Sequence, residues 1–275
     1  MAVRWRGLKL KVPLGSQLFE LELTVERVDE VIPHEEVIPE HLEKLKAAFA
    51  VSLYQRNPVI VDFRSGCVLD GTHRWAAMKA LGFKWITVCR VDYFNPLVEL
   101  DSWARVYRVE GAFKVEEFLS GVELEPIDFE RRSERDLLVV SQETYRVPYR
   151  SVWEAFTKLK VIDERFSNQL QVKPLYVARS GVGKVSVHEV AVLPPKLQKE
   201  EVVELSKKRL LLPPKSTRHV VPARPMGVNV PLKLLSSEKG NTDLVEEFLR
   251  QKRPLLVKPP IFLDREYKEA ILYFM

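Results

Sequence analysis

Three short stretches of this chain carry residues able to do chemistry, two of them on phosphate or another anion. The run Asp70-Gly71-Thr72-His73-Arg74 follows the apolar Cys67-Val68-Leu69 and leads into Trp75-Ala76-Ala77-Met78. A strand ending in Asp, a Gly that lets the backbone turn sharply and a helix starting with free N–H groups form an anion-binding junction. Arg74 can grip phosphate oxygens with two N–H groups, and Asp70, acceptor-only, can hold Mg2+ beside the same phosphates. The same residues also read as an ordinary strand–turn–helix junction, with Asp70 as cap and Arg74 in water.

The second stretch is His34-Glu35-Glu36, just ahead of Pro39. A carboxylate here can accept the proton of an attacking hydroxyl, or the acids can simply complement the dipole of the next helix. The third is Lys215-Ser216-Thr217-Arg218-His219, framed by Pro213, Pro214 and Pro222. Two hydroxyls and up to three cations held by prolines make an anion-recognition loop with little ordering cost; a solvated basic loop is the plainer reading. Trp103 can floor a small pocket or belong to the core. His41 and His188 carry no pattern.

The elements that must position these residues follow from periodicity. Alternation in Leu8–Val12 and Phe19–Val25 predicts two strands joined at Pro13-Leu14-Gly15-Ser16. Pro39 suits the first turn of a helix with Leu42, Leu45, Ala48 and Phe49 on one face. Pro58–Phe63 and Cys67–Asp70 read as a strand pair, Thr72–Leu81 as a helix stopped by Gly82, and Trp85–Asp92 as a further strand. Residues 1–95 thus form one α+β module. Residues 96–275 read as a second α+β region packed against it, with strands near 104–110, 137–141, 173–178 and 185–192. Its helices start at Ser151, with Glu154 closing a capping box, and run over about 197–208 and 242–250. The Pro-framed 211–222 loop is expected to return and complete the site of the first module.

Composition narrows the classes. The chain has 275 residues, 43 Lys+Arg against 38 Asp+Glu, and 46% hydrophobic residues. That is enough for a hydrophobic core in one large domain or two modest ones, and it excludes intrinsic disorder. No apolar run approaches about 18 residues, which argues against a membrane span. The start Met1-Ala2-Val3-Arg4-Trp5-Arg6 lacks a signal-peptide h-region, so a cytoplasmic location is expected. The surplus of +5 is spread along the chain rather than gathered in a stripe, so no nucleic-acid partner is expected. Cys67 and Cys89 lie in apolar runs without metal spacing and read as buried, reduced thiols. Many charges with few Asn and Gln fit a heat-adapted source.

Taken together, Asp70-Gly71-Thr72-His73-Arg74-Trp75 followed by Ala80-Leu81-Gly82 resembles the signature of the ParB/sulfiredoxin-like fold. With Pro33-His34-Glu35 upstream and Thr217-Arg218-His219 near the C-terminus, the chain resembles the archaeal free L-serine kinases from about residue 20 to about 235. The resemblance implies phosphoryl transfer from ATP or ADP to the hydroxyl of L-serine, giving O-phospho-L-serine for cysteine biosynthesis. It implies Glu35 as general base, Asp70 as a second essential acid on Mg2+, and Gly71, Thr72, His73 and Arg74 around the nucleotide phosphates. Trp103, Ser216, Thr217, Arg218 and His219 would hold serine and the transferred group. The family often has His where Thr72 stands.

The main rival is a ParB-like DNA-binding or nucleotide-sensing regulator without kinase activity. It would show a helix-turn-helix and an arginine-rich nucleotide box after the motif, and residues 97–210 show neither clearly. A sulfiredoxin-like reductase would need a reactive Cys directly before His73-Arg74, where Thr72 stands.

Overall fold

The computed structural model describes residues 7–111, 113–236, 242–263, 266–267 and 269–275. The chain forms two compact units, each assembled from separate stretches. The first comprises Met1–Glu99, Val203–Leu210 and His219–Met275; the second comprises Leu100–Val202 and Leu211–Arg218.

In the first unit, alternating residues give the antiparallel pair Leu8–Leu14 and Gln17–Arg27, turning at Gly15-Ser16. These extend into a five-stranded mixed sheet in the order Leu8–Leu14, Gln17–Arg27, Trp85–Val91, Val59–Asp62, Val68–Asp70. Val59–Asp62 runs parallel to Trp85–Val91, while Val68–Asp70 pairs antiparallel with Val59–Asp62. The helix Thr72–Ala80 lies in the connection from Val68–Asp70 to Trp85–Val91. Val59, Ile60, Val61, Val88 and Cys89 are buried, as expected for central strands covered on both faces. Cys67 and Cys89 are free, buried thiols. The helix Pro39–Ser52 starts on its proline and buries Phe49, but Ala48, expected on the same face, is exposed.

The sequence placed everything after residue 95 in one second region. Val203–Leu210 and His219–Met275 instead belong to the first unit. The physical cause is long-range pairing. Val230–Pro231 pairs with Tyr54–Gln55, and the helix Thr242–Arg250 packs on the strand Gln17–Arg27. The final strand Ala270–Phe274 lies between Ala223–Met226, to which it is parallel, and Pro254–Val257.

The second unit is built on a six-stranded antiparallel sheet in the order Leu175–Ala178, Trp103–Arg108, Glu189–Leu193, Leu138–Val140, Thr144–Arg146, Glu125–Ile127. Strand period decides which side chain faces where. Ala104 and Val106 join Leu138, Val140, Ala191 and Leu193 in an apolar core. The alternate residues Arg105 and Tyr107 meet Asp163 and Phe166 of the helix Val152–Gln169. Ser151 caps that helix by accepting from Glu154 N, while the Glu154 carboxylate accepts from Arg150 N rather than closing the box on Ser151. Among the described residues, no helix is long and apolar enough to cross a membrane.

Candidate functional site

The junction around Gly71 brings Asp70, Arg74 and Arg224 together in the first unit. Gly71 has φ +99°, a conformation that L side chains rarely adopt, and it stands as N-cap with no side-chain cap on the helix Thr72–Ala80. The capping role open to Asp70 is therefore not taken. Its carboxylate faces two guanidinium groups instead, with Oδ2 at 2.7 Å from Arg74 Nη2 and 2.9 Å from Arg224 Nη1. Arg74 is not in open water either. It folds back over Gly71, donates to Pro58 O at 3.2 Å, and keeps its buried Nε without a protein partner. A Cβ on Gly71 would stand 2.6 Å from Arg74 Nη2, so only glycine lets the arginine lie there.

His73 points back along the chain. Its Nε2 accepts the backbone N–H of Ile38 at 2.9 Å, which ties the start of one helix to the residue before the other. A ring that accepts at Nε2 carries its proton on Nδ1. His41, which showed no pattern, has its ring centroid 5.5 Å from that of His73.

Glu35 is positioned by an anchored backbone. Ile32 forms a parallel bridge with Cys67, and its carbonyl also accepts from Ser206 Oγ at 3.1 Å. Next to Glu35, His34 is buried, with Nε2 3.5 Å from Glu35 Oε1 and Nδ1 3.9 Å from Cys67 Sγ. Burial opposes charge on His34, but the hydrogen bonds to Cys67 and Glu35 outweigh it, and its pKa is raised to about 10. Glu35 thus sits 13% exposed beside an imidazole whose charged form it favours.

His219 meets the strand Val68–Asp70 through a backbone hydrogen bond to Leu69. Its ring is edge-on to His34 at 5.4 Å, and Tyr93 OH is 2.8 Å from its Nε2. Burial and the neighbouring His34 charge push its pKa down to about 3, against the pull of Glu35, Asp70 and a backbone hydrogen bond to Leu69. One histidine charged and its neighbour neutral is the arrangement that avoids two buried like charges.

In the second unit, Trp103 carries two cations on its ring: Lys215 Nζ lies 5.7 Å and the Arg218 guanidinium 5.4 Å from the ring centroid. The organiser is Arg105, fully buried, which the sequence reading did not single out. It donates to the carbonyls of Trp103 at 2.8 Å, Pro214 at 3.0 Å and Lys215 at 3.1 Å, and pairs with Asp163 Oδ2 at 3.0 Å. Lys215 takes a positive φ of 61° in the turn so held. Ser216 faces inward, its hydroxyl donating to Pro213 O at 2.7 Å, so it shapes the loop from within. Thr217 is buried, and Arg218 opens the strand Arg218–Val220 where a loop was expected.

Arg224, Glu269, Tyr93, Arg105 and Asp163 were missed from sequence. Arg105 left one signal: it alternates with Trp103 and Tyr107 on a strand, a cation on a face otherwise aromatic. Among the described residues, no group of three or more His, Cys, Asp or Glu side chains forms a metal cage.

No family model matches the chain. It is 26% identical over 231 residues to an ATP-dependent L-serine kinase of Staphylothermus marinus, spanning 74% of this chain and 88% of that protein. It is 28% identical over 222 residues to an ADP-dependent L-serine kinase of Thermococcus kodakarensis, spanning 76% and 90%. Its fold matches a solved free serine kinase in complex with AMP at a TM-score of 0.63 and 26% identity, covering 78% of this chain and 93% of that one. In sequence along most of its length, and in its mixed α/β fold, the chain is similar to proteins named as L-serine kinases.

Proposed function

We propose that the chain is a nucleotide-dependent kinase of free L-serine, producing O-phospho-L-serine of the kind used in cysteine biosynthesis. The observation that carries this reading is Arg74. It lies at an uncapped helix start with Nη2 on Asp70 and a buried Nε that has no protein partner, a donor set suited to a phosphate. In this reading residues 1–95 are a ParB/sulfiredoxin-like phosphate-binding module, and Gly71, Thr72, His73 and Arg74 receive the nucleotide phosphates through backbone N–H groups, imidazole and guanidinium.

Glu35 accepts the proton of the serine hydroxyl as that oxygen forms its bond to phosphorus and the bond to the leaving phosphate breaks. ATP would leave as ADP, or ADP as AMP. His34, 3.5 Å from Glu35, steadies its carboxylate, and His219, held by Tyr93, offers a ring whose neutral form is favoured. Trp103, Thr217 and Arg218 bind the amino acid, with Lys215 and Arg218 meeting its carboxylate, while Ser216 supports the loop. Phosphoryl transfer asks mainly for alignment and charge neutralisation, and these groups supply both.

Mg2+ fits this donor set in the usual manner for nucleotides, with one or two carboxylates and substrate phosphates rather than a protein cage. Asp70, 35% exposed, is the carboxylate that would hold it. When bound, the ion neutralises charge on the phosphate oxygens. Incubating the protein with L-serine, Mg2+ and either ATP or ADP, and reading O-phosphoserine by mass spectrometry, tests the proposal. No product with either donor contradicts it.

A further inference from the structure

The two arginines on Asp70 differ in a way that gives the C-terminal strand a task. Arg74 and Arg224 both reach Asp70 Oδ2, yet Arg74 is 25% exposed and Arg224 only 8%. Arg74 sits in the first turn of a helix and retains an unpartnered Nε. Arg224 has no such slack. Its Nε is held by Glu269 Oε1 at 3.2 Å, and Glu269 is itself buried. The register places this pair: Ala223–Met226 runs parallel to Ala270–Phe274, with Ala223 opposite Ala270. Glu269, directly before that last strand, therefore lies beside Arg224.

Resting on the kinase reading, we propose that Arg224, aimed by Glu269, is the positioning residue that keeps Asp70 in place when a nucleotide phosphate draws Arg74 away. A guanidinium is planar, so fixing Nε fixes the direction of Nη1. With Arg224 in place, Asp70 keeps one charged hydrogen bond whichever way Arg74 points. Without it, Arg74 must serve Asp70 and the phosphate at once, and each gain on one side is a loss on the other. The segment after residue 235, outside the stretch that resembles the kinases, thereby acts on the phosphate site through one buried carboxylate.

The test compares full-length wild type, Glu269→Gln, Arg224→Lys, Arg224→Met and the Glu269→Gln/Arg224→Met double variant. Each is measured for kcat, for KM of serine, and for thermal unfolding; nucleotide affinity is read separately by calorimetry. Misplacing a catalytic group by about 1 Å costs on the order of a hundredfold in rate. The expectation is therefore a kcat loss of about a hundredfold for Arg224→Met and about tenfold for Glu269→Gln, with serine KM within about twofold. Arg224→Lys should recover part of the loss. The double variant should match Arg224→Met, because Glu269 acts only through Arg224. Losses that multiply, or wild-type kcat in the folded variants, overturn the inference. If Arg224→Met fails to fold, Glu269→Gln and Arg224→Lys decide it, and unchanged kcat in both overturns it. A wild-type protein that forms no phosphoserine overturns the kinase reading itself, whereas an active wild type with unaffected variants overturns this inference alone.

Discussion

Tyr93 donates its hydroxyl proton to His219 Nε2 at 2.8 Å, and both side chains are buried. The bond fixes the tautomer of an imidazole whose pKa is depressed to about 3. Tyr93→Phe leaves a buried acceptor unmet, so the variant should lose about 1–3 kcal/mol of stability in denaturant titration. A midpoint equal to wild type would show that the bond contributes nothing.

The two histidines predict opposite pH dependences. His34 has a folded pKa near 10 against 6.5 unfolded, so its contribution is full below pH 6.5 and is lost as pH rises through about 10. His219 stays neutral in the fold, so stability falls as pH drops from 6.5 toward about 3, where the unfolded chain binds the proton first. Urea midpoints measured across this range should decline on both sides. His34→Asn should flatten the alkaline side and His219→Gln the acid side.

Gly71→Ala tests the phosphate cradle. The new Cβ would meet Arg74 Nη2 at 2.6 Å and would hold φ near +99°. Either Arg74 leaves Asp70 or the turn relaxes. We expect nucleotide affinity to fall at least about tenfold by calorimetry, the loss of one charge-assisted contact. Unaltered affinity would remove Arg74 from the phosphate site.

Arg105 organises the loop below Trp103 through three carbonyls and Asp163. Arg105→Met leaves those partners without their cation and should cost about 3–5 kcal/mol. Arg105→Lys keeps the charge but not the fork, and should raise serine KM with nucleotide KM unchanged. Equal effects on both substrates would mean that the loop does not read the amino acid.

Local structure was the legible part of this chain. The Asp70–Arg74 run, the alternation in Leu8–Val12 and the helix at Thr242–Arg250 each depend on neighbours in sequence, and each stands where periodicity puts it. Arg224 and Glu269 were not legible, because their pairing needs two segments 45 residues apart to align in parallel register. Arg105 left only its alternation with Trp103 and Tyr107, and a charge within a strand reads as an edge or an exposed face. The membership of the last strands in the first unit followed from the same long-range pairing, which no local pattern announces.

The central claim is that Glu35 takes the proton from the hydroxyl of serine. Initial rates of O-phosphoserine formation for wild type and Glu35→Gln, with thermal unfolding of both, test it most directly. General-base catalysis contributes on the order of 10²–10⁴ in rate. The account predicts a loss of that size in kcat with the fold and nucleotide affinity intact. A folded Glu35→Gln protein that phosphorylates serine at the wild-type rate would contradict it.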